Sequence, residues 1–115
     1  MELMRWREEP VEELSPSIGR QVVTTGNMTV ARILLGKGAE VPSHEHANEQ
    51  VATILEGSLR FVVGGEEFVA SAGESVVIPP NVPHAVEALE ESVVLDVFSP
   101  PREDWARGDD AYLRG

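Results

Sequence analysis

Turn-forming residues recur along this chain at short, regular intervals, and that spacing constrains the fold more than any other feature. Gly26-Asn27, Gly36-Lys37-Gly38, Gly57, Gly64-Gly65, Gly73, Pro79-Pro80 and Pro83 divide it into pieces too short for ordinary helices. Between them lie runs rich in β-branched residues: Arg20 to Thr25, Met28 to Leu35, Gln50 to Glu56, Ser58 to Val63, Glu66 to Ala70, Ser75 to Ile78, His84 to Ala88 and Ser92 to Phe98. Many short strands at this spacing predict an all-β sandwich or barrel. Val63-Gly64-Gly65-Glu66 reads as a two-residue hairpin, because a type I′ turn needs positive φ at both central positions. The tail differs: from Arg102-Glu103-Asp104-Trp105 onward the pattern allows a short helix, with Tyr112 and Leu113 packing back on the body.

The length of 115 residues suits a single domain. The expected division is an N-terminal arm over 1–19, a barrel core over about 20–99 and a C-terminal tail over 100–115. No apolar run approaches the ~20 residues needed to cross a bilayer, so no membrane partner is expected. Met1 to Pro10 lacks the apolar core of a secretory signal, and the cytoplasm is the default location. There is no cysteine, which excludes disulfides and thiol catalysis. Twenty acidic and nine basic residues set the net charge at −11, which argues against nucleic acid as a partner. A local cation in a pocket can still attract an anionic small molecule, since salt screens distant surface charge within about 8–10 Å. Val93, Val94, Leu95, Val97 and Phe98 form a nearly continuous apolar run, as in a strand covered on both faces. Either a second copy of the chain covers the outer face, giving a homodimer, or loops and the tail do; the homodimer is the expectation.

Three histidines carry the chemical signal. His44 and His46 are two apart, so in a strand they share a face. That parity extends to Asn48 and Gln50, whereas Glu45 and Glu49 point the other way. Gln50 is therefore the expected further ligand, with Glu49 in reserve should a bulge or loop intervene between His46 and Gln50. His84 opens a later strand after Pro79-Pro80-Asn81-Val82-Pro83 and can complete the set. Imidazole and amide donors suit one divalent transition metal, Zn, Ni, Fe, Mn or Co, with open positions that favour catalysis over a closed structural site.

The spacing of these residues resembles the two motifs of the cupin superfamily. Gly38, His44-Glu45-His46, Gln50 and Gly57 match the first; Gly73, Pro79, Asn81 and His84 match the second. Gln50 stands where the family usually has Glu, and Asn81 and Ala88 replace the usual Gly and Asn. Asn tolerates positive φ, so Asn81 can hold the same turn. The resemblance implies a double-stranded β-helix, or jelly-roll, barrel. More narrowly, His44-Glu45-His46-Ala47-Asn48-Glu49-Gln50, Ile78 to His84 and Leu95 to Trp105 resemble the pectin-degradation cupins, over about Glu12 to Leu113. Ala47-Asn48 departs from the Pro-His often found in that loop. This resemblance implies conversion of 4,5-unsaturated uronate monosaccharides, from pectin or alginate, into linear keto-uronates. It assigns the metal to His44, His46, Gln50 and His84, and catalysis to Asp96, Phe98 and Arg102. Val94, Asp96 and Phe98 share one face of the last strand, so Asp96 is a carboxylate in an apolar cavity if that face is the interior. The alternatives are another metal-dependent cupin enzyme, such as a dioxygenase or isomerase, or a non-catalytic sugar or small-ligand binding cupin.

Overall fold

A computed structural model describes residues 1–114. A 3₁₀ turn at Trp6–Glu8 precedes ten strands: β1 (Glu12–Ser15), β2 (Ile18–Thr24), β3 (Thr29–Leu35), β4 (Glu40–His44), β5 (Glu49–Glu56), β6 (Ser58–Val63), β7 (Glu66–Ser71), β8 (Ser75–Ile78), β9 (His84–Ala88) and β10 (Ser92–Ser99). They form two antiparallel sheets, β1-β2-β3-β10-β5-β8 and β4-β9-β6-β7. A short helix, α1 (Glu103–Ala106), and a 3₁₀ turn (Ala111–Leu113) follow. The eight strand-forming runs of the sequence all become strands, with ends shifted by at most two residues. The segment before residue 20, expected as an arm, contributes β1 and the start of β2 to the larger sheet.

Alternation explains the layering. On β3 buried and half-buried residues strictly alternate, with Ala31, Ile33 and Leu35 facing inward. Ala52 and Ile54 of β5, Leu59 and Phe61 of β6 and Val94 and Phe98 of β10 fill the space between the sheets. The hairpin joining β6 to β7 turns at Gly64 and Gly65, with φ of 57° and 83° and Val63 paired with Glu66, as the sequence predicts. Asn81 holds φ of 61° in the proline-rich turn before β9. The apolar run of β10 lies between β3 and β5. Its outward Leu95 and Val97 are half-buried, while Leu55 and Val77 on the same outer face are exposed, Val77 by 63%.

Candidate metal centre and its cavity

His44 is the last residue of β4 and pairs across the sheet with His84, the first residue of β9. His46 lies beyond the strand, in the loop to β5. The two-residue parity from His44 to Gln50 applies to an unbroken strand; the chain instead turns between His46 and Glu49, and Gln50 arrives on β5 of the other sheet. The inward choice of Gln50 still holds, because β5 alternates in its own right: Gln50, Ala52 and Ile54 point in and Glu49 is exposed. Gln50 sits opposite Phe98 on β10 and Ile78 on β8 and is only 7% exposed.

The three imidazoles converge. Ring centroids are 4.2 Å apart for His44–His84, 4.9 Å for His46–His84 and 5.7 Å for His44–His46. One ring nitrogen from each lies within 4.8 Å of the others. Each Nδ1 meets a backbone carbonyl two residues away: Pro42 at 2.9 Å, Asn48 at 3.1 Å and Val82 at 2.9 Å. A carbonyl only accepts, so Nδ1 carries the proton and Nε2 is left as a lone pair, the tautomer a metal ligand requires. His84 Nε2 is buried and has no hydrogen-bond partner among the described residues. Such an orphan acceptor costs roughly 1–3 kcal/mol unless something meets it.

Gln50 strengthens the case. Its Nε2 donates to Asp96 Oδ1 at 3.0 Å, which turns Oε1 toward His46 Nε2 at 3.2 Å. With the His46 proton on Nδ1, two acceptors face each other, an arrangement that a cation between them relieves. Three imidazole nitrogens and one amide oxygen thus form a donor set into which a divalent transition metal fits. Burial holds the His44 and His46 pKa values down at about 4 and lowers that of His84, so all three are neutral and ready to ligate near pH 7.

Asp96 faces inward from β10, between Ala31 on β3 and Ala52 on β5. Both neighbours are buried alanines, and Ala52 lines the cavity together with Asp96. Burial pushes its pKa up to about 7, against the opposing pull of the Gln50 hydrogen bond and the Arg102 charge. Phe98, two residues on, packs edge-on against His46 at 5.6 Å and against Trp105 at 5.1 Å. Arg102, after Pro100 and Pro101, lines the same cavity as Asp96. Its backbone N–H donates to Thr29 Oγ1 at 2.9 Å, and its guanidinium lies over Phe98 and Trp105 at 4.7 and 4.4 Å. His44, Gln50, His84, Asp96 and Arg102 all line one cavity between the sheets.

Four residues of this neighbourhood were not legible as site residues. Asn48 is buried and donates through Nδ2 to the carbonyls of Pro100 and Pro101, holding the turn that delivers Arg102. Asp104 accepts from Arg102 Nε at 2.9 Å and Nη2 at 2.7 Å. Trp105 and Tyr112 line the cavity wall around Arg102. Tyr112 was expected to pack on the body, but nothing in its spacing tied it to the histidines.

Two facing antiparallel sheets with an imidazole cluster between them define the class, and the chain belongs to the cupin family, whose domain model matches residues 31–98. It is 35% identical over 101 residues to the pectin degradation protein KdgF of Dickeya dadantii (strain 3937), covering 85% of this chain and 92% of that protein. Among solved structures it resembles an RmlC-like cupin from Shewanella frigidimarina NCIMB 400, with a TM-score of 0.86, 29% identity, and 91% and 96% of the two chains covered. KdgF from Halomonas sp. matches with a TM-score of 0.86 and 27% identity, covering 91% of this chain and 98% of its own.

Proposed function

We propose that this chain is a metal-dependent enzyme that opens and ketonises 4,5-unsaturated uronate monosaccharides released from pectin or alginate. The observation that carries the reading is Asp96: a buried, titratable carboxyl joined by Gln50 to an imidazole cluster, in a cavity that Arg102 also lines. Similarity to a pectin degradation protein supports the substrate class. His44, His46 and His84 through Nε2 and Gln50 through Oε1 would hold one Zn, Ni, Fe, Mn or Co ion. Bound there, it would supply Lewis-acid stabilisation of a developing enolate oxygen.

The cyclic substrate is a hemiacetal with a double bond between ring carbons 4 and 5. Breaking the bond between carbon 1 and the ring oxygen, with the anomeric hydroxyl proton leaving and the ring oxygen gaining one, yields an aldehyde and an enol. Ketonisation then removes the enol proton and places a proton on carbon 4, with no net oxidation. Asp96 populates both protonation states near neutral pH, so it can take the first proton and return the second. Gln50 occupies its Oδ1, leaving Oδ2 for the exchange. Arg102 would anchor the substrate carboxylate. Phe98 walls the cavity beside His46 and excludes water. In the same reading the protein is a single-domain cytoplasmic homodimer, a second copy covering Leu55 and Val77 on the outer face of the larger sheet.

The test is direct. Metal-loaded protein is mixed with unsaturated galacturonate, and loss of the alkene absorbance is followed against spontaneous decay. Acceleration is expected, and Asp96→Asn should retain metal while losing about 10²–10⁴-fold in turnover. No acceleration with any of the five metals overturns the proposal, and an unchanged rate in the variant removes Asp96 from the mechanism.

A further inference from the structure

Tyr112 lies on the cavity wall beside Arg102, on the 3₁₀ turn that closes the described tail. Its ring stacks on His44, with centroids 4.3 Å apart and planes 25° from parallel. Its phenolic oxygen lies 2.6 Å from Arg102 Nη2 and 2.9 Å from Trp105 Nε1. Guanidinium and indole nitrogens only donate, so the oxygen accepts twice and its own proton is used by neither neighbour. Arg102 is in a matching state. Nε and Nη2 are given to Asp104 and Tyr112, and Nη1 has no hydrogen-bond acceptor among the described residues. Two donors without acceptors among the described residues therefore belong to two hydrogen-bonded residues that line the cavity with Asp96.

The position is firmly built. Asp110, two residues before Tyr112, is 1% exposed and accepts from Arg20 Nη2 at 2.9 Å and from Arg114 Nε at 2.9 Å. Leu113, the next residue, is buried in the core. Arg20 also lies over Trp105 at 4.5 Å, so the indole that donates to Tyr112 is itself held. Asp104 balances the formal charge of Arg102 at 2.7 Å. Recognition at this wall therefore depends on paired donors as well as on charge, and a two-oxygen acceptor matches them.

We propose that the Tyr112 hydroxyl and Arg102 Nη1 form a two-donor seat for the carboxylate of a sugar acid, with Tyr112 as the specificity-determining residue. The seat rests on the uronate reading above and assigns the carboxylate carried by ring carbon 5, next to the carbon 4 that gains the proton. It selects a carboxylate over the hydroxymethyl group of the parent sugar, or over a carboxyl ester.

The experiment compares wild type and Tyr112→Phe, both metal-loaded, by calorimetric titration with D-galacturonate, its methyl ester and D-galactose. The variant keeps the ring on His44 and removes the hydroxyl, which is both the free donor and the acceptor for Arg102 Nη2 and Trp105 Nε1. Galacturonate affinity should fall about tenfold or more, the scale of one hydrogen bond to a charged group, while the two neutral ligands change little. In turnover of unsaturated galacturonate, KM should rise with kcat nearly unchanged. Equal loss for all three ligands would mark a structural role and overturn the seat, as would no loss for galacturonate. Bound metal and Tm check that the variant is folded. Should it not fold, wild type still decides, because equal affinity for the acid and its methyl ester overturns the proposal. The two readings fail separately: a carboxylate preference lost in Tyr112→Phe without ring opening removes the enzyme and keeps the seat, and ring opening with an unchanged KM does the reverse.

Discussion

Gln50→Glu tests whether Gln50 bridges the imidazole cluster to the buried carboxyl. In the native protein its amide gives Asp96 Oδ1 a proton at 3.0 Å, and this hydrogen bond restrains a pKa that burial drives up to about 7. Glutamate removes that donor and puts a second acidic oxygen in its place. Two unit charges about 3 Å apart repel by about 5 kcal/mol at an effective dielectric constant of about 20, and relaxation to about 5 Å still leaves about 3 kcal/mol. At about 1.4 kcal/mol per pH unit, the pair should keep one shared proton until roughly pH 9. The assay is a carboxyl carbon NMR titration of metal-free protein from about pH 4 to about pH 10, spanning both steps expected of a coupled pair. Wild type should show a single buried step near 7; the variant should show two, one low and one high. A variant whose Asp96 still titrates in one step near 7 would refute the bridge. An ionised carboxylate at position 50, the usual residue of the motif, could not make the donation to Asp96 that Gln50 makes.

Three imidazoles and one amide act as a set, so His84→Ala should lower metal affinity at least about a hundredfold, read as metal retained per chain after dialysis; full retention would exclude His84 as a ligand. Acid separates the buried groups by sign. Depressed His44 and His46 contribute stability that is present above about pH 6.5 and lost as pH falls toward about 4. Raised Asp96 does the opposite, its contribution being present below about pH 3.8 and lost as pH rises through about 7. In metal-free protein, Asp96→Asn should therefore lose more Tm between pH 7 and pH 5 than wild type, since the opposing carboxyl is gone. A variant with the shallower fall would contradict the assignment of Asp96 as the raised group.

Features set by local pattern were legible in the residues alone. Strands follow from β-branched runs between glycines and prolines, and the Gly64-Gly65 hairpin and the Asn81 turn follow from backbone conformations few other residues adopt. His84 at the head of β9 and the inward parity of Asp96 and Phe98 follow from the two-residue repeat of a strand. Gln50 shows the limit of such reasoning: its inward face was legible, but the route was not. Parity from His44 applies to an unbroken strand, whereas β4 ends at His44 and Gln50 enters on the opposite sheet. The long-range pairings came from packing. Arg102 with Tyr112, Arg20 with Asp110, and Asn48 with the carbonyls before Arg102 join segments whose separation carries no periodicity. The tail brings these segments together by burying Leu113 in the core beside the cavity that Arg102 and Tyr112 line. Burial then sets the chemistry: the same aspartate in water would titrate near 3.8, and between Ala31 and Ala52 it reaches about 7.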